Sequence, residues 1–261
     1  MENKKPNRFQ SFFEENAYIL AKRYIYNYHI RCKAVSRYIG NNQRQMVLEM
    51  GCGVAPVVPN SSGVVYTDLS FTAVHNLKAE QGPACFVVAD GTNLPFKPNI
   101  FSHTVTSEVL EHIEDDDAAL KELSRVMCRK GQLIITVPHK KFYFAFDDRY
   151  VAHFRRYEIE ELKTKLLKYG LKTVEIRKVL GPLEKITMWT VTGVLSLFQK
   201  FSTQRQVKQC HAKTSNPALL EIMVSIFKWV NQYYAGLARL DAKIMPMTLA
   251  TVLVVKAQLS D

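Results

Sequence analysis

Residues 47–55, Val47-Leu48-Glu49-Met50-Gly51-Cys52-Gly53-Val54-Ala55, decide the fold. A short apolar run ends in two glycines separated by one residue. Glycine takes up positive φ without penalty and lets the backbone come close to a ligand. On its own, a Gly-x-Gly step reads more readily as a tight strand-to-helix turn than as a binding site. The residues downstream of the turn change that reading.

Strand and helix signals alternate from residue 45 onward. Apolar or β-branched runs at 45–50, 64–67, 85–89, 101–107, 132–137 and 173–179 read as strands. Between them the pattern becomes helical. Ser70 is placed as the N-cap of a helix through Gln81, stopped by Gly82-Pro83. A second helix, 116–129, has acids at its start, bases at its end and Gly131 just beyond. A third, 158–169, stops at Gly170. Such alternation specifies an α/β fold: a Rossmann-like, doubly wound and mostly parallel sheet. After Gly181-Pro182 the pattern is helical as far as 246, and 248–256 is β-rich, as if returning to the sheet. The reading is therefore a seven-stranded sheet with N-terminal helices and a helical insertion before its last strand. The boundaries are 1–44 for the N-terminal helical segment, 45–182 for the core, 183–247 for the insertion and 248–261 for the last strand and tail.

Two acids fall at strand ends, where ligands bind in such sheets. Asp68 closes the second strand, where a carboxylate can accept from both hydroxyls of a ribose. Asp90 closes the third, where it can accept from an adenine amino group. Each taken singly also reads as a turn or cap residue. Three strand ends in conjunction point to a nucleoside-containing cofactor. A dinucleotide-binding fold would prefer G-x-G-x-x-G, and its third glycine position is Pro56 here.

VLEMGCGVA resembles the first motif of the class I S-adenosylmethionine-dependent methyltransferases, and VVYTDLS resembles the motif after it. The run from VVADGTNLPF through FSHTVTSEVLEHIEDDDAALKELSRVMCRKGQLIITVPHK resembles the ubiquinone/menaquinone-biosynthesis subgroup, methyltransferase type 11. The likeness covers about residues 45–181. It implies S-adenosylmethionine as cofactor, with Glu49, Gly51, Cys52 and Gly53 along its methionine and ribose part. It also implies Asp68 on the ribose hydroxyls, Leu69 beside the adenine, Asp90 and Gly91 at the adenine edge, and Glu108 facing the methionine end or the acceptor. Two features depart from the pattern. Ala55 stands at the third glycine position, and Pro56, Pro59 and Gly63 oppose a long helix there, so one turn or an irregular segment is expected.

Methyl transfer from a sulfonium needs alignment of the acceptor and, for some acceptors, a base. His139, after the fifth strand, and His112 are the candidate bases, with Glu108 beside them. Four residues apart, Glu108 and His112 would share a face if the segment is helical, where His112 also reads as a structural partner. His153, Arg155 and Arg156 are the candidate contacts to an acceptor phosphate or carboxylate. The plainer reading is a helix lead-in whose arginines pair with Glu158, Glu160 or Glu161.

Composition bounds the rest. Apolar residues make up 47% of 261, enough for a sizeable core. Five dispersed cysteines fit a reducing, cytoplasmic setting, and no metal site is expected. Residues 1–10 are polar, so no secretory signal is expected. The longest uncharged run of the C-terminal part, 186–199, has 14 residues, short of the roughly 20 of a membrane span. Net charge is +11, with +5 over residues 1–50, −4 over 51–139 and +9 over 140–214. Basic flanks around an acidic centre suit either a solvated surface or an anionic partner such as a membrane. The acceptor expected is a small molecule, lipid or glycan-type compound, with peripheral membrane contact through the insertion as an option. A tRNA or protein acceptor is the alternative, although no RNA-binding module is recognisable. A non-catalytic binding protein of the same fold is a third reading.

Overall fold

A computed structural model describes residues 23–40, 45–82, 84–202 and 217–260, with the side chains of 194–202 and 217–223 left out. The first part of the expected N-terminal helices lies outside these residues; α1 (Tyr26–Ser36) is the helix described there. β1 (Val47–Met50), β2 (Val64–Asp68), α2 (Phe71–Gln81), β3 (Cys85–Val88), β4 (Phe101–Ser107), α3 (Asp116–Val126) and β5 (Met127–Pro138) come next. Then come α4 (Phe146–Tyr150), α5 (Ile159–Lys168), β6 (Leu171–Leu180), α6 (Pro182–Ser202), α7 (Pro217–Ile244) and β7 (Val252–Leu259).

The sheet has seven strands in the order β3-β2-β1-β4-β5-β7-β6. β1 to β5 pair in parallel, and β7 runs antiparallel between β5 and β6. The chain therefore leaves the sheet after Leu180, builds α6 and α7, and returns beside its point of departure, with Leu180 opposite Val252.

Period-two side-chain alternation puts a core on each face. Leu48, Met50, Leu133, Ile135, Leu253 and Val255 pack with Ala119, Leu120 and Leu123 of α3 and with Leu162 and Leu166 of α5. Their neighbours Val47, Ile134, Val252 and Val254 face the other way, against Tyr26 and Ile30 of α1, Leu77 of α2, and Ala235 and Ala238 of α7. Ser70 caps α2, its hydroxyl accepting from Ala73 N–H at 3.2 Å.

One boundary differs from the sequence reading. α3 ends at Val126, and Met127 already pairs with Phe101. The next partners in register are His103 and Gln132, so residues 128–131 form a bulge. Gly131 belongs to that bulge rather than to a helix cap: a Cβ there would lie 2.7 Å from the Cys128 carbonyl oxygen.

Candidate active site

The parallel strands end along one edge, which carries most of the residues singled out from the sequence. Gly51 and Gly53 have φ of 77° and 54°. Glycine is required at Gly51 for space as well, since a Cβ would collide with the Val109 side chain. Asp68 ties the turn to β2: its Oδ2 accepts from Gly53 N–H at 2.8 Å and its Oδ1 from Ser70 N–H at 2.9 Å. Gly51 and Cys52 N–H both donate to the Thr67 carbonyl. Leu69 is exposed next to this clasp. Asp90 Oδ1 accepts from Thr92 N–H and its hydroxyl at 2.9 and 2.7 Å, which fixes the end of β3. Gly91 packs against Met50, whose Sδ would lie 2.8 Å from an added Cβ.

No helix is formed between the glycine turn and β2, as the prolines imply. The backbone of 54–58 must find partners elsewhere. Glu49 supplies two of them: its buried carboxylate accepts from Val57 N–H at 2.7 Å and Val58 N–H at 2.9 Å. The carbonyls of Val54, Pro56 and Val58 accept from Arg23, Tyr28 and Tyr66. Glu49, expected along the cofactor, thus holds up the loop that borders the site.

The acceptor end lies beyond β4 and β5. Glu108 leaves β4 with φ of 56°, its N–H donating to the Thr136 carbonyl. Leu110–His112 then form a single 3-10 turn. Glu108 and His112 therefore do not share an α-helical face, because the positive φ breaks the helix before it starts. Lys140 and Ala152, at φ of 67° and 63°, flank the same region. Strained backbone of this kind concentrates at functional sites.

His139, the candidate base after the fifth strand, is buried at the end of β5. Its Nδ1 sits 2.8 Å from the Tyr157 carbonyl oxygen. A carbonyl only accepts, so Nδ1 carries the proton and Nε2 the lone pair. Nε2 is buried without a hydrogen-bond partner. Burial pulls the imidazole pKa below its ordinary 6.5.

The arginines are committed to the fold. Arg156 is 5% exposed; its Nε donates to Asp148 Oδ1 at 2.8 Å and its NH1 reaches the His139 and Thr251 carbonyls. Arg155 pairs with Asp116 at 2.6 Å and donates to the Glu114 carbonyl. These aspartates, rather than the glutamates of α5, are the partners that the helix lead-in recruits. Both guanidiniums already have internal acceptors, which places them as supports for the acceptor end. His153 is partly buried beside them, with Nδ1 2.9 Å from Asp148 Oδ1.

Three buried groups have no counterpart in the sequence reading. Glu184, at the start of α6, has its pKa pushed up to about 7, first by burial and then by neighbouring Glu108, against the pull of Arg156. Glu111 is fully buried, with both carboxylate oxygens lacking a hydrogen-bond partner. Lys185 is buried on Asp147 and Asp148. The one available signal was placement: Glu111 adjoins His112, and Glu184-Lys185 come directly after the Gly181-Pro182 exit from β6.

Residues 48–135 match the family model described as a methyltransferase domain. That segment carries a methyltransferase domain, and the sheet around it has the fold of class I methyltransferases. The chain is 31% identical over 102 residues to an uncharacterized protein of Methanocaldococcus jannaschii, covering 38% of this chain and 44% of that protein. It is 31% identical over 107 residues to a demethylmenaquinone methyltransferase of Streptomyces griseus, covering 40% and 46%. The match thus spans less than half the length of these curated relatives. Among solved structures, the Haemonchus contortus phosphoethanolamine N-methyltransferase 2 in complex with S-adenosyl-L-methionine aligns over 99% of this chain and 61% of its own. Its TM-score is 0.58 at 18% identity, a likeness of fold. The glycine turn, Asp68, Asp90 and Glu108 all lie within the matched methyltransferase domain.

Proposed function

We propose that this chain transfers a methyl group from S-adenosylmethionine to a small-molecule, lipid or glycan-type acceptor. The observation that carries the reading is the clasp between Asp68 and the Gly53 amide at adjoining strand ends, inside the matched domain. A ribose bound there would meet the Asp68 carboxylate, and the methionine end would run toward Glu108 and the buried polar groups beyond β4. The chain's own residues then align the acceptor and take its proton. The test is transfer of labelled methyl into a fractionated cell extract. Label in lipid or small-solute fractions is expected; label confined to RNA or protein would overturn the acceptor class, and no label would favour a non-catalytic binding protein.

His139 is the base we assign, because its Nε2 lone pair is unpartnered and its proton is held on Nδ1. Protonation of Nε2 abolishes the base, so activity falls as pH drops. The midpoint is expected below 6.5, following the direction of the shift. His139→Gln should lower kcat by about 10²- to 10⁴-fold, the usual worth of a positioned base, and remove that acid limb. A limb centred near 7 that survives the substitution would assign the base to Glu184 instead.

The insertion supports a second contact. Ile226, Trp229, Tyr233, Leu240 and Ile244 of α7 are all more than half exposed. Aromatic and aliphatic side chains on a helix, in a chain of net charge +11, suit the interface of an anionic membrane. No helix among the described residues is long and apolar enough to cross one. The intact chain should float with anionic vesicles; failure to float removes this contact and leaves the methyl-transfer reading in place.

A further inference from the structure

We propose that Glu111, His112 and His153 form a site for a divalent cation of the zinc class at the acceptor end of the sheet. Each side chain offers one ligand atom, and these atoms lie within 4.8 Å of one another. The 3-10 turn after β4 supplies two of them and the loop after α4 the third. Phe154 N–H donates to the Glu111 carbonyl at 2.8 Å, which locks turn and loop together.

Two independent features mark the cluster as more than proximity. The first is Glu111, 0% exposed, with neither carboxylate oxygen in a hydrogen bond. A buried carboxylate is costly unless a counter-charge or donors reach it. His153 Nε2 is 3.8 Å from Glu111 Oε1, outside hydrogen-bond range. A cation between them would satisfy both. The second feature is the support behind the rings. His153 Nδ1 lies 2.9 Å from Asp148 Oδ1, so in the neutral ring the proton sits on Nδ1 and Nε2 is the atom left to ligate. Asp148 stays ionised because Arg156 and Lys185 bind it. His112 Nδ1 lies 3.4 Å from the Ala152 carbonyl oxygen, and its ring meets that of His153 edge-on, centroids 4.6 Å apart. Imidazoles backed by a carboxylate or a carbonyl are the usual arrangement of metal-bound histidines.

The spacing fits with a small adjustment. Ligands about 2.1 Å from a tetrahedral zinc stand about 3.4 Å apart. The donors lie within 4.8 Å, so modest rotation of the two rings closes the set. Two imidazoles and one carboxylate favour zinc, cobalt or iron over magnesium and calcium, which prefer all-oxygen shells. Three protein ligands also leave a coordination position open, where an acceptor oxygen could bind if the methyl-transfer reading holds. The binding claim itself does not depend on that reading.

The test is titration of the chelator-stripped full chain with cobalt(II), followed by ligand-field absorption in the visible. A single saturable site is expected, displaced by zinc and unaffected by magnesium. Glu111→Gln and His153→Gln should each weaken it at least about tenfold, while His75→Gln, at an exposed position of α2, should not. Far-UV circular dichroism identifies any variant that fails to fold, and His112→Gln then replaces it. Absent absorption in the wild type, displacement by magnesium, or affinity unchanged in the folded variants would each overturn the proposal. Calorimetry with S-adenosylhomocysteine on the same samples reports the cofactor site separately, so failure of one reading is distinguishable from failure of the other.

Discussion

Asp68→Ala is expected to lower the affinity for S-adenosylhomocysteine by at least about 100-fold. The carboxylate is placed to accept from two ribose hydroxyls, and charge-assisted hydrogen bonds contribute about 1.5–3 kcal/mol each. The same side chain holds Gly53 N–H and Ser70 N–H, so its loss also releases the turn that shapes the pocket. Asp68→Asn keeps the size and one acceptor, and should fall between the two. Isothermal titration calorimetry measures all three. Affinity unchanged in a folded Asp68→Ala variant would move the ribose away from β2.

Lys185→Met should destabilise the fold by about 3–5 kcal/mol, the usual result of removing one partner from a buried ion pair. The ammonium, 2% exposed, sits 2.7 Å from Asp147 Oδ2 and 2.7 Å from Asp148 Oδ2. Methionine fills much of the volume and leaves Asp147 without its cation. Trp189 Nε1, which also donates to Asp147, offsets only part of that. Burial of Asp148 opposes its ionisation, yet His153, Arg156 and Lys185 together hold its carboxyl below the ordinary 3.8. Its contribution is therefore complete above that pH and is lost only as pH falls well below it. Urea denaturation at pH 7 should show the full difference between variant and wild type; equal midpoints and slopes would show that the pair contributes no net stability.

Some local signals place their elements to within a residue or two, while the helix expected over 116–129 and the strands expected over 132–137 and 248–256 miss by three to five. The strand Phe101–Ser107 and the helix Phe71–Gln81 fall where hydrophobic period and the Ser70 cap place them. The irregular stretch after Gly53 is explained by Pro56 and Pro59. Legibility stopped where a side chain's role depends on distant partners. Arg156 reads as an anion contact beside His153, and only the fold brings Asp148, the His139 carbonyl and Thr251 onto it. Glu49 reads as a cofactor contact, and only the fold shows that the Val57 and Val58 amides use its carboxylate as well. Glu108 to His112 carries a helix-like spacing, and one positive φ cancels it. Glu111 and Glu184 are ordinary surface residues by composition. Their burial is a property of how the loops close over β4 and β5.

The position of β7 bears on how the molecule is made. β5 and β6 do not pair with each other; each pairs with β7. During synthesis every strand but the last can be laid down while a two-sided gap stays open beside β5. The hydrogen-bonding edges of β5 and β6 remain bare until residues 252–259 leave the ribosome and slide between them. Bare edges are templates for mispairing, and contacts between strands far apart in sequence form slowly. The final strand acts as a wedge that completes the sheet in one step, and a nascent chain stalled before it would present the surface that chaperones bind.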